Sequence, residues 1–158
     1  MIRIRFSNVK AINKKEICDF SRAFGCLLPD QVVDFFLEFN GSKPETNTFS
    51  VSDGNESGVN KLICLAQVLD ERKFLDCIGS KAFPVAIAEG GNYVVIDLNQ
   101  GQGVFFWDHE KPAEMTFLAS DIQKFLDGLV PFDPDSIELK EGQVESVWID
   151  PDFLKSLK

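Results

Sequence analysis

The only histidine in this chain of 158 residues lies in the triplet Asp108-His109-Glu110, directly after the aromatic run GVFFW. A histidine beside carboxylates is a candidate general base or zinc ligand. Along a strand, however, Asp108 and Glu110 share one face and His109 points to the other, so the three do not converge on one ion. The sequence also has no Cys-x-x-Cys pair to complete a zinc site. We therefore expect a strand-terminal histidine bonded to backbone or to a neighbouring carboxylate, with no catalytic residue, metal or cofactor.

A second polar segment imitates a calcium-binding loop. Asp53, Asn55, Ser57 and Gly58 stand at positions one, three, five and six of an EF-hand pattern. The twelfth position, which requires a bidentate glutamate, is Cys64, and the flanking residues alternate like strands. The glycine-rich turns near residues 90 and 101 likewise lack the G-K-[ST] or G-x-G-x-x-G context of a phosphate site. All three segments are typical of polar turns.

The composition is that of a globular domain, with 44% apolar and 26% charged residues. Because phenylalanine has no polar group, we expect most of the 15 phenylalanine rings in the core. The sequence has no long apolar run and no apolar leader, so we expect a cytoplasmic protein without a membrane segment. The four cysteines are expected to be buried, reduced thiols, with a disulfide as the alternative.

The formal net charge is −9, but residues 1–25 carry six basic and two acidic side chains and are net positive. The acidic surplus therefore belongs to the body of the protein. Binding to nucleic acid requires a basic face for the phosphates, so direct nucleic-acid binding is not expected. An acidic domain is suited to a basic protein partner, because complementary potentials accelerate encounter. The alternative is that the charge only maintains solubility.

Two helices are well marked at the start of the chain. A capping pair, Asn13 and Glu16, opens a first helix that extends to about Phe24. A second helix begins at Pro29-Asp30 and ends at a left-handed stop, Asn40-Gly41. Its apolar arc is too wide for a surface helix, so we expect it deep in the core. The arc consists of Val32, Val33, Phe35, Phe36, Leu37 and Phe39.

Alternating residues predict strands in the middle of the chain. Phe49 and Val51 begin a hairpin that returns through residues 59–63 after a long loop, SDGNESG. Residues 83–110 predict three further strands, which glycine-rich turns at 89–92 and 99–103 divide into an antiparallel meander. No repeat or internal linker interrupts the sequence, so we expect one domain over residues 1–158.

Two more helices complete the prediction. One runs from about Leu65 to Ile78, and the other is capped by Ser120 and Gln123 and ends before Pro131. Residues 130–158 form an acidic extension with a strand candidate, VESVWID, and a closing helix from about residue 151.

The ordered segments LPDQVVDFFLEFNGSKP, FPVAIAEGGNYVVIDLNQGQGVFFWDHE and LASDIQKFLDGL resemble the SUKH superfamily of the Smi/Knr type over residues 28–129. The resemblance implies an α+β fold, with an antiparallel curved sheet of about five to six strands flanked by helices. It also implies function, because many bacterial members are immunity proteins that bind and neutralise a polymorphic toxin, often a nuclease or deaminase. Eukaryotic relatives regulate cell-wall synthesis and signalling. The family has no known shared catalytic residues, so the resemblance assigns none here.

These observations favour an intracellular protein-binding module over an enzyme. An immunity protein against a basic toxin domain is the leading hypothesis, a scaffold or regulator of the same family is the second, and a small hydrolase is the third. Function tends to lie on loops held by a rigid scaffold, and acids are concentrated in three turns. We therefore predict a partner-binding surface there; the alternative is that these acids only solvate the turns. The predicted residues are Asp53, Glu56, Glu89, Asp108 and Glu110.

Overall fold

The computed structural model describes residues 4–52 and 54–132. Within these residues the chain forms four α-helices, a two-stranded ribbon and a six-stranded sheet. The helices are α1 (Lys14–Phe24), α2 (Asp30–Phe39), α3 (Leu65–Arg72) and α4 (Ile122–Asp127). The ribbon pairs β1 (Phe6–Ser7) with β2 (Lys43–Pro44). Since none of these helices is long and apolar enough, no described helix meets the requirements for crossing a membrane.

The main sheet is antiparallel throughout, and its strands pair in chain order. The α+β prediction with five to six antiparallel strands is therefore confirmed, and the sheet is curved without being closed. Its strands are β3 (Thr48–Ser52), β4 (Asn55–Leu62), β5 (Ala82–Ala88), β6 (Tyr93–Asp97), β7 (Gly103–Trp107) and β8 (Met115–Ala119).

The first two helices begin and end where the sequence predicts. Asn13 and Glu16 form a complete capping box, in which each side chain accepts a hydrogen bond from the other residue's backbone N–H, at 3.0 and 2.9 Å. Gly41 stops the chain after α2 with a φ of 66°, a left-handed conformation that favours glycine. Helix α2 is not buried all round, however, because Leu37 is 37% exposed while Phe36 is fully buried.

Asn40 joins three segments just after α2. Its Oδ1 accepts a hydrogen bond of 2.7 Å from the backbone N–H of Leu65, the first residue of α3. Its Nδ2 donates to the backbone carbonyl of Lys10 at 3.1 Å. The side chain is buried, so both bonds replace water that the amide loses on folding.

Several predicted boundaries are wrong for identifiable reasons. Strand β4 begins at Asn55, inside the predicted long loop. Helix α4 is capped by Asp121 and not by Ser120, because Asp121 Oδ1 accepts the Lys124 N–H at 2.8 Å. That hydrogen bond is the main reason why the pKa of Asp121 is lowered. Strand β8 was not predicted at all.

Helix α3 ends at Arg72, six residues before the predicted Ile78. Beyond it, the chain crosses the face of the sheet that carries Trp107, which we call the outer face. There Arg72 donates to the carbonyls of Ala82 and Gly79 at 2.8 and 3.1 Å. The Trp107 indole N–H donates to the Asp76 carbonyl at 3.1 Å. These bonds hold the segment after α3 in an irregular path.

The opposite, inner face of the sheet packs on the helices and forms the main core. Phe49 of β3 contributes a buried ring between Phe106 of β7 and Phe125 of α4, with centroid distances of 5.9 and 5.3 Å. Most phenylalanine rings of the described residues are buried or partly buried, as predicted, but Phe74, Phe117 and Phe132 are exposed. The cysteines are free, yet only Cys64 is buried; Cys18 and Cys77 are exposed, contrary to expectation.

Replacing Phe36 with alanine should lower the free energy of unfolding by about 3–5 kcal/mol, because the cavity left in the core cannot collapse fully. Leu37→Ala, one position along the same helix, is the matched control and should cost less than about 1 kcal/mol. Denaturant unfolding of both variants measures the difference. Equal losses would show that the buried face of α2 is assigned incorrectly.

The single tyrosine reports on the outer face. Burial, together with a 2.7 Å hydrogen bond to Glu71 and the charge of that carboxylate, raises the pKa of Tyr93 to about 12. Phenolate absorbance should therefore show half-ionisation near pH 12 instead of 10.0, and Glu71→Gln should lower this pKa. Because the folded-state pKa is raised, the associated stability is present below pH 10 and is lost as the pH rises through 12. A midpoint near 10 in folded protein would contradict this contact.

Candidate functional site

The turns that join β3 to β4, β5 to β6 and β7 to β8 lie at the same end of the sheet, because consecutive antiparallel strands reverse direction. These are the three turns in which the sequence concentrates acids. Together with the adjoining strand ends they surround an open groove of about 460 Å³. The groove is lined by Val51, Ser52, Asn55, Glu56, Ser57, Glu89, Gly90, Asn92, Phe106, Asp108, Lys111, Glu114 and Thr116.

The groove has an acidic rim and a partly apolar base. Four carboxylates line it, from Glu56, Glu89, Asp108 and Glu114, against one lysine, Lys111. Among the ion pairs of the described residues, none involves Glu56, Glu89 or Glu114. The groove therefore carries a surplus of negative charge that its own side chains do not neutralise.

Three of the five residues predicted to bind a partner meet in this groove. Glu56 lies in β4, Glu89 in the turn after β5, and Asp108 just after β7. Glu110 belongs to the same turn as Asp108, but its side chain is exposed and does not line the groove. Asp53 lies outside the described residues. That these side chains contact a partner remains a prediction.

Glu89 approaches the backbone of the neighbouring strand at Gly58. A Cβ at residue 58 would lie 2.7 Å from Glu89 Oε1, so the absence of a side chain there makes room for the carboxylate. The turn that carries Glu89 also needs its two glycines, since Gly90 and Gly91 have φ values of 72° and 80°. This geometry holds the Glu89 carboxylate over β4, on the same side as Glu56.

The side chain of Asp108 is held in place by a hydrogen bond within its own turn. Its Oδ1 accepts the backbone N–H of Glu110 at 2.9 Å, which is the pattern of an Asx-turn. The side chain is 33% exposed and therefore remains accessible from the groove. The prediction that residues 108–110 alternate between faces at a strand end is wrong, because β7 ends at Trp107.

His109 links two of the turns. Its backbone N–H and its ring Nδ1 both lie within hydrogen-bond distance of Asn92 Oδ1, at 3.1 and 2.8 Å. The backbone N–H can only donate, so Asn92 Oδ1 is the acceptor of both hydrogen bonds. Nδ1 of the ring must therefore carry a proton to donate to the same oxygen. The partner is thus a side-chain amide, and not the expected backbone or carboxylate group. His109 fastens the β7–β8 turn to the β5–β6 turn and so positions Asp108 relative to Glu89.

The described residues contain no group of three or more His, Cys, Asp and Glu side chains placed to hold a metal ion. What the groove can offer is carboxylate oxygens that accept hydrogen bonds from cationic groups. Such an arrangement is suited to lysine and arginine side chains.

Glu114 and Lys111 line the groove but were not among the predicted residues. Both lie in the acid-bearing segment DHEKPAE, from which only Asp108 and Glu110 were predicted to bind a partner. Their place in the groove depends on β8, which brings the chain back along β7 immediately after Glu114. The sequence feature that could have indicated this strand is the short, mostly apolar stretch MTFLA after the turn.

The chain matches a known protein family. The model of the SMI1 / KNR4 family (SUKH-1) matches residues 11–128, which is well over half of the chain. The matched region begins earlier than residue 28, where the sequence resemblance starts, and includes all four helices and the whole six-stranded sheet. No curated protein matches the chain.

Proposed function

Because the chain belongs to the SMI1 / KNR4 family (SUKH-1), we propose that it is a non-catalytic protein-binding module that neutralises a toxin by direct contact. The proposed partner is a basic toxin domain, a nuclease or a deaminase, which is bound in the cytoplasm. The proposed contact surface is the acidic groove.

The observation that carries this proposal is the convergence of Glu56, Glu89, Asp108 and Glu114 on one open groove. These residues are distant in sequence, and the fold gathers them at one end of the sheet. Glu56, Glu89 and Glu114 form no ion pair within the described residues, so their carboxylates are available for charge-assisted hydrogen bonds when a cationic surface covers them. A net charge of −9 adds a long-range attraction for such a surface.

The resemblance to the family implies a nuclease or deaminase as the toxin, and the charge of the groove supports this choice. Nuclease and deaminase domains that act on nucleic acid need basic surfaces to hold phosphates. An acidic inhibitor that covers such a surface both binds the enzyme and blocks its substrate. The regulatory role known from other members of the family would also use a protein-binding surface, so growth protection is the property that separates the two roles.

Charge reversal in the groove should abolish protection. We expect the chain, when co-expressed with a panel of cationic nuclease and deaminase toxin domains, to restore growth against its cognate toxin and to form a stable complex with it. The triple variant Glu56→Lys, Glu89→Lys and Asp108→Lys should weaken that complex on the order of 100-fold, because buried interfacial charge pairs become repulsive.

The control carries the same charge change on another surface: Asp34→Lys, Glu38→Lys and Asp76→Lys. These three acids are exposed, and their side chains make no hydrogen bond or ion pair within the described residues. This control should retain binding and protection. If the folded groove variant protects as well as the parent, the groove is not the interface. Binding to the toxin without protection would contradict the immunity role itself.

The rate of association should depend on salt. Since the attraction acts between opposite charges across solvent, raising the salt concentration from ~0.05 to ~0.5 M should reduce the association rate constant by roughly tenfold or more, with a smaller effect on dissociation. Stopped-flow or surface-based kinetics with the cognate toxin measure both constants. An association rate that does not change over this range would contradict the electrostatic part of the proposal.

A further inference from the structure

The two edges of the curved sheet face each other across a seam. Strands β3 and β8 are the first and last of the sheet, and some of their Cα atoms come within 8 Å of each other although the strands are not paired. One end of the seam is closed where Thr48 and Val130 exchange both backbone hydrogen bonds, at 3.0 and 2.9 Å. At the other end the acidic groove opens, between Val51 and Ser52 of β3 and Thr116 of β8.

Among the described residues, backbone groups along the seam have no hydrogen-bond partner. Within the described part of the chain, β3 makes backbone hydrogen bonds beyond β4 only at Thr48, and β8 makes them only with β7. The outward-facing N–H and C=O groups of an edge strand are a template for pairing with another chain.

Strand β8 also lacks the usual protection of an edge. Natural edge strands carry charged residues, proline or bulges that prevent pairing, yet MTFLA contains no charge and no proline. A register shift occurs near Leu118, but residues 115–117, which include the groove residue Thr116, pair regularly with β7. On the outer face Phe117 is 60% exposed and makes an edge-to-face contact with Phe105, with ring centroids 5.8 Å apart, so it offers further apolar surface to an added segment.

The dimensions limit what can enter. Neighbouring strands lie about 4.7–4.9 Å apart, so an additional strand between two edges needs roughly twice that distance. The seam is too narrow for this where Cα atoms come within 8 Å, whereas the groove end provides about 460 Å³. A segment can therefore pair over only a few residues at the open end.

Charge selects among the possible occupants. Any segment that enters the groove meets four carboxylates and one lysine. A second copy of this chain brings a net charge of −9 and the same acidic groove, so self-pairing is opposed. An extended segment with lysine or arginine side chains satisfies both the unpaired backbone and the carboxylates.

We propose that the groove receives a short extended segment of the partner, which pairs with the free strand edge at the open end of the seam while its lysine or arginine side chains bind the carboxylates. This inference rests on the proposed function and adds the binding mode. The backbone pairing supplies affinity, and the carboxylates select basic side chains.

The test uses synthetic peptides and the full chain. The probe is an eight-residue peptide of alternating valine and lysine, which should bind, and its counterpart with glutamate in place of lysine should not. Two further versions of this lysine peptide carry methyl groups on backbone nitrogens, one version at every valine and the other at every lysine. Each modification removes the backbone N–H donors along one edge of the extended peptide without changing its charge. One of these should bind roughly tenfold more weakly than the parent peptide, since about 1.4 kcal/mol of hydrogen bonding is lost.

Amide hydrogen exchange supplies a second readout. With the parent peptide bound, backbone amides of β3 or β8 next to the groove should exchange roughly tenfold more slowly, because they become paired. If the parent and both N-methylated peptides bind with equal affinity, and amide exchange does not change, the proposed strand pairing is wrong. The peptides would then be attracted by charge alone. Failure of the folded protein to bind the parent peptide would overturn strand pairing too. Neither result affects toxin protection, which tests the proposed function separately.

Discussion

The packing of Phe49 between Phe106 and Phe125 is the contact on which the shape of this protein depends. Phe49 belongs to the first strand of the sheet, while the other two rings belong to β7 and to the helix after β8, and all three are buried. Burying the Phe49 ring requires the first strand to curl towards the last two, and the paired backbone of Thr48 and Val130 holds that position. The seam and the groove at its end are consequences of this curvature.

The curvature of the sheet and the order of its strands together bring the acidic turns around one groove. In an antiparallel meander every second turn lies at the same end, so residues separated by more than 30 positions, such as Glu56 and Glu89, become neighbours. His109 then ties two of the turns together through Asn92. His109, the residue that first suggested catalysis, thus has a structural role, and the carboxylates beside it form the proposed binding surface.

The sequence predicted those parts of the fold that are determined locally. The capping box of α1, the glycine after α2 and the three-stranded meander each follow from adjacent residues. What failed was determined by contacts between distant residues. Helix α3 stops early because Arg72 and Trp107 bind the following backbone, and β8 forms because β7 offers an edge. The acidic turns were found from sequence, but only the curved sheet brings Glu114 into the groove and leaves Glu110 outside it.

The central claim is that the groove carboxylates contact basic side chains of a protein partner. Zero-length carbodiimide coupling of the complex with its cognate toxin, followed by mass spectrometry, tests this directly, because it joins only carboxylates and amines that are in contact. The account predicts that Glu56, Glu89 and Asp108 are joined to lysines of the toxin, whereas Asp34 and Glu38 on α2 are not. Cross-links confined to α2 or to the acidic segment after residue 132 would contradict it.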